Sequence, residues 1–113
     1  MQLEVSKLLT DIYKSIGLIE SHIQNAPTLS AYKSNILITD AVERRLSIIG
    51  EALWKADKMD KGLNISNKKR IISLRHIIVH DYDLMDDSTI WLICQRQLPI
   101  LKAEVASLLN LTE

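Results

Sequence analysis

The sequence predicts an all-α, up-and-down four-helix bundle, with or without one additional short helix, formed by a single domain over residues 1–113. Three observations predict it. Apolar residues recur at steps of three and four through four long stretches, the period of a helix and not of a strand. Glycine occurs three times and proline twice, too rarely for a turn-rich β architecture. Leucine and isoleucine supply most of the apolar mass and phenylalanine is absent, a composition suited to helix faces packed on one another.

The first helix carries Val5, Leu8, Leu9, Ile12, Ile16, Ile19 and Ile23 in phase. It should stop before Ala26-Pro27, because a residue preceding proline is pushed out of the α region. A connection follows from Pro27 to Ser34. In the second and longest helix, Ile38, Val42, Leu46, Ile49 and Leu53 form one stripe, which Leu37, Ala41, Ile48 and Ala52 widen. So broad a face can touch two neighbours, a bundle core and a partner subunit. Gly50 interrupts it at a cost of about 1 kcal/mol relative to alanine, which close helix contact would explain. Asp57 to Ser66 is polar, contains Gly62 and reads as a loop. Ser66 is placed to cap the third helix, which has Ile71, Leu74 and Ile78 on one face. Asp86, Asp87 and Ser88 mark the next helix start, where acidic charge is favourable. The fourth helix holds Ile90, Cys94, Leu98, Leu101, Val105 and Leu108 in phase, with Pro99 inside it and expected to bend it.

The formal net charge is zero, so bulk electrostatics point to no particular partner. The distribution is uneven: from Glu43 to Arg75 nine basic residues stand against four acidic ones, a local +5. Such a stretch can attract RNA or can simply be a wet face. The single cysteine, Cys94, excludes an internal disulfide and fits a reducing compartment; its apolar surroundings suggest a core position. Glu4, Lys7 and Asp11 interrupt any N-terminal signal pattern, and no stretch approaches a membrane span. A cytoplasmic location without membrane contact is the expectation.

The chemistry concentrates in Arg75-His76-Ile77-Ile78-Val79-His80-Asp81-Tyr82. A guanidinium that grips phosphate lies near an imidazole that exchanges protons near neutrality, a combination suited to phosphodiesters. His80 would be a general acid or base, or else a capping histidine bonded to a backbone carbonyl. Arg75 would clamp phosphate, or else pair with Glu51 or one of the aspartates. Five residues apart, the two stand about 140° apart around a helix, so they converge only if the helix ends or distorts near His80 or a second chain supplies one of them. His76 and His80 have the spacing of two metal ligands, but no clear third ligand follows, so no metal or other cofactor is expected. Nor is there a glycine-rich phosphate loop, a pair of catalytic carboxylates or a nucleophile elbow, which argues against a conventional nucleotide hydrolase, glycosidase or esterase.

Two segments carry a family resemblance. Ala41-Val42-Glu43-Arg44-Arg45-Leu46-Ser47-Ile48-Ile49-Gly50-Glu51-Ala52, with its Ile-Gly-Glu-Ala core, resembles the second helix of the HepT-like branch of the HEPN superfamily. These are the toxin ribonucleases of HepT–MntA toxin–antitoxin systems. Leu74-Arg75-His76-Ile77-Ile78-Val79-His80-Asp81-Tyr82 resembles that branch's Arg-x4-His-x-Tyr signature, and Leu98-Pro99 with the apolar run after it resembles the last helix. The resemblance implies a homodimer with these motifs near the subunit interface. It also implies metal-independent endoribonuclease activity, in which His80 handles a proton and Arg75 stabilises developing charge. His76 and Asp81 would support them, and Arg44, Arg45 and Glu51 would shape the site. The implied partner is an MntA-like minimal nucleotidyltransferase antitoxin that AMPylates Tyr82, placing negative charge and bulk at the mouth of the site. The same resemblance accommodates a non-catalytic bundle that binds RNA or nucleotide, or only pairs with the nucleotidyltransferase. Two positions depart from the pattern: His76 stands where many relatives have a small polar residue, and Ser66-Asn67 where Pro-Trp is common.

Overall fold

The computed structural model describes residues 1–80 and 86–111, and the expectations for Asp81 and Tyr82 fall outside them. The described residues form six helices and no strand: α1 (Leu3–Gln24), α2 (Leu29–Lys33), α3 (Ile36–Met59), α4 (Lys68–His80), α5 (Asp87–Arg96) and α6 (Leu98–Leu108). The all-α class holds. α1 packs along α3, α3 along α4, and α6 returns against α1, with α2 bridging α3 and α5. None of these helices is long and apolar enough to cross a membrane.

The apolar stripes fold as their period dictates. On α1, Val5, Leu9, Ile12, Ile16 and Ile19 are all buried, and on α3 so are Val42, Leu46, Ile49 and Leu53. Each such side chain contributes roughly 1.5–3 kcal/mol through the apolar area it removes from water. The widened half of α3 behaves differently along its length. Ala52 is buried, whereas Leu37 is 80% exposed, so the start of this helix presents apolar surface outward.

Three local expectations are corrected. The stretch from Pro27 to Ser34 contains α2, started by Thr28, whose hydroxyl accepts from the Ala31 amide at 3.1 Å. Five helical residues are too few for periodicity to register. Ser66 does not cap α4; its amide and hydroxyl both donate to the Glu104 carboxylate on α6, at 3.0 and 2.8 Å. The Asn67 carbonyl accepts from the Ile71 amide at 3.1 Å, with Asn67 in the left-handed region (φ 59°) that asparagine tolerates. Pro99 does not bend one helix but separates two. It occupies the first turn of α6, where a missing N–H costs nothing, and Gln97 ends α5 and begins α6. Asp86 is the cap of α5, accepting from the Thr89 amide at 2.7 Å; that bond, with help from Lys33, holds its carboxyl below the usual range.

The loop between α3 and α4 is pinned at both ends, which fixes how the two helices meet. Leu63 and Ile65 are buried. Lys68 bonds Asp57 at 2.9 Å and the Leu63 carbonyl at 3.1 Å. Gly50 lies where the helices approach: a Cβ there would stand 2.9 Å from the Arg75 Cβ and 3.1 Å from the Ile71 carbonyl oxygen. The close contact expected from a glycine inside α3 is therefore present, and Arg75 is the residue it admits.

Tyr32, on α2, is fully buried, with its ring 5.5 Å from that of Trp91. Its hydroxyl has no hydrogen-bond partner among the described residues, and burial is the main cause of its raised pKa. An unsatisfied buried hydroxyl is a net cost. Tyr32→Phe is expected to raise stability by about 1 kcal/mol, read as a higher urea midpoint at unchanged slope.

Candidate active site

The second-helix motif and the Arg-x4-His motif come together across the α3–α4 contact. Arg75 leans back over α3 and its Nε donates to Glu51 Oε2 at 2.8 Å. The two side chains are about one-third exposed, 35% and 36%, so the pair is reachable from solvent and contributes little to stability by itself. Glu51 also faces Lys55, 3.9 Å away one turn along the helix. Of the two plain alternatives for Arg75, the ion pair with Glu51 is the one observed. It engages Nε and leaves the terminal nitrogens of the guanidinium, the fork that suits phosphate oxygens.

The pair lies in a groove of about 490 Å³, whose wall includes Arg44 and Ser47 from α3 and Leu8 and Asp11 from α1. Arg44 thus joins Arg75 and Glu51, whereas Arg45, next along the helix, is half-buried and does not line it. Glu43, in the same motif, is held apart from this chemistry: burial, then the charges of Asp87 and Asp40, push its carboxyl up.

His80 stands elsewhere. α4 is helical through His80, so the five-residue step from Arg75 carries it about 140° around the axis. The imidazole is exposed and does not line the Arg75 groove. It meets His76 instead, ring centroids 4.8 Å apart and planes tilted 45°, as expected for residues one turn apart. A single chain therefore presents the guanidinium on one side of α4 and the two imidazoles on another. Asp81 and Tyr82 lie outside the described residues.

Two residues bearing on the site were not singled out in the sequence. Asp11 of α1 reaches the Arg75 groove, a tertiary contact that no local pattern announces. Trp54, three residues after Glu51, places its indole 6.0 Å from the Arg75 guanidinium, and its spacing from Glu51 was the available signal. Cys94 is core, as expected, and burial pushes its thiol up to about 12, far from a nucleophile's range.

The described residues thus form an all-helical bundle with an arginine-lined groove on one side of α4 and two exposed imidazoles on another. The chain belongs to the HepT-like ribonuclease family: the profile described as "Ribonuclease HepT-like" matches residues 12–108, which include both motifs. Two proteins of Methanocaldococcus jannaschii are similar to it. One, described as gamma-glutamylcyclotransferase and candidate RNase, is 29% identical over 111 residues, covering 97% of this chain and 50% of its own length. This chain therefore spans about half of that relative. The other, described as a candidate RNase, is 31% identical over 104 residues, covering 90% of this chain and 94% of its own. No solved structure matches the chain.

Proposed function

We propose that this chain is the toxin of a HepT–MntA toxin–antitoxin pair and acts as a metal-independent endoribonuclease. The observation that carries this reading is the Arg75–Glu51 pair, in a solvent-open groove at the Gly50 crossing, inside a chain of the HepT-like ribonuclease family. In the proposed reaction a ribose 2′-hydroxyl attacks the adjacent phosphorus and the 5′-oxygen of the next nucleotide leaves. His80 moves the proton at one of those oxygens, solvent water exchanges the proton at the other, and Arg75 stabilises charge on the non-bridging oxygens. DNA lacks the attacking hydroxyl and should remain intact.

The 140° separation of Arg75 and His80 on α4 favours a homodimer in which one copy supplies the guanidinium and the other the imidazole. His76, 4.8 Å from His80, would orient or share its proton. Tyr82, two residues on, would be the acceptor of AMP from the nucleotidyltransferase antitoxin, and Asp81 a supporting group.

Incubation of the purified protein with total RNA in EDTA tests the enzyme. Cleavage should persist in chelator and disappear in His80→Ala. RNA that stays intact but bound at high wild-type concentration would favour a non-catalytic binder instead. Tyr82→Phe should keep cleaving after exposure to the nucleotidyltransferase and ATP, while wild type is silenced. A Tyr82→Phe protein that still gains AMP mass would refute the acceptor assignment.

A further inference from the structure

Trp54 lies on α3 one turn beyond Glu51 and lines a cavity next to the Arg75 groove. Its residue is 38% exposed, although an indole of this size is normally drawn into a core. Lys58 Nζ lies over the ring, 4.3 Å from its centroid, and the Arg75 guanidinium is 6.0 Å away. Trp54, Leu8 and Met59 help line a second cavity of about 630 Å³, which shares Leu8, Asp11 and Lys55 with the Arg75 groove, so the two adjoin. Five cations, Lys7, Arg44, Lys55, Lys58 and Arg75, line the combined trough against three carboxylates.

An exposed aromatic face beside a cationic track is the arrangement that binds single-stranded nucleic acid, in which bases stack while phosphates pair with lysine and arginine. We propose that Trp54 is a base-stacking platform that seats an unpaired nucleobase next to the phosphate held by Arg75. Lys58 now occupies the place the base would take. An arriving base displaces its ammonium, and the four-carbon stem lets that ammonium turn to a neighbouring phosphate. Stacking on a π-face discriminates little among bases, so Trp54 demands unpaired RNA and not a particular letter. A duplex, whose bases are already stacked on one another, cannot use it.

This inference rests on the ribonuclease reading, and its test separates the two. Trp91→Phe leaves Trp54 as the only indole, and its fluorescence should be quenched by a single-stranded oligoribonucleotide. An abasic ribose-phosphate strand of equal length and charge should not quench it. Trp54→Ala should raise KM about tenfold or more while kcat changes little, and Trp54→Phe should recover most of the loss. The exposed position lets both variants fold, which unchanged helical circular dichroism verifies. Cleavage by Trp54→Ala with wild-type KM, or equal affinity for the abasic strand, overturns the platform and leaves the ribonuclease reading standing. A Trp54→Ala defect that coincides with altered sedimentation makes the indole an interface residue and also overturns it. Wild-type protein that neither binds nor cuts RNA overturns both.

Discussion

Equimolar mixing of Arg75→Ala and His80→Ala proteins is expected to restore about a quarter of wild-type RNA cleavage, although each variant alone has lost it. Each single substitution removes either charge stabilisation or proton transfer, losses of roughly 10²-fold or more. Recovery follows from where the residues stand. Arg75 lines the groove beside Glu51, and His80 lies about 140° around α4, beside His76. If one copy's guanidinium works with the other's imidazole, a mixed dimer has one doubly damaged centre and one intact centre. Random exchange makes about half the dimers mixed, each with one of its two centres active. Cleavage of a fluorescent RNA after co-refolding measures this directly. A mixture as inactive as its components would mean that both groups act within one chain.

Gly50→Val is expected to lower stability by about 3 kcal/mol, read as a melting temperature about 10 °C lower. The first added carbon already meets the Arg75 Cβ at 2.9 Å and the Arg75 amide nitrogen at 3.3 Å. Neither is the free end of a flexible chain, so α4 itself must move away from α3. That displacement carries Arg75 away from Glu51, so cleavage should fall even at temperatures where the variant remains folded. Gly17 provides the control. A Cβ there meets nothing within 4 Å, and Gly17→Ala in the same helical setting should gain up to about 1 kcal/mol with activity unchanged.

Helix faces could be read from the sequence because periodicity reports burial directly. Val5 through Ile19 and Val42 through Leu53 went inside as their spacing required. The boundaries yielded less, because long-range contacts decide them. Ser66 has the chemistry of a cap but finds the Glu104 carboxylate, 38 residues away. Pro99 is compatible with a kink or with a fresh helix start, and only the packing of α5 and α6 distinguishes them. In the candidate site, the angular separation of Arg75 and His80 followed from helix geometry alone. Which of several carboxylates would meet Arg75 did not, because that depends on how the Gly50 crossing sets the register of two helices. Asp11 enters the groove through tertiary placement and not through a motif, and Trp54, although spaced one turn from Glu51, nears Arg75 only across the α3–α4 contact.

Glu51 acts as an internal counter-ion for a guanidinium that would otherwise attract any passing anion. Small solutes such as chloride or inorganic phosphate offer Arg75 one contact in exchange for the one they break, and gain little by displacing the carboxylate. A polymer that meets Arg44, Lys55 and Arg75 together collects several favourable contacts for the same single exchange. If Arg75 binds phosphate as proposed, the Glu51 pair therefore favours chains of phosphates over simple electrolytes.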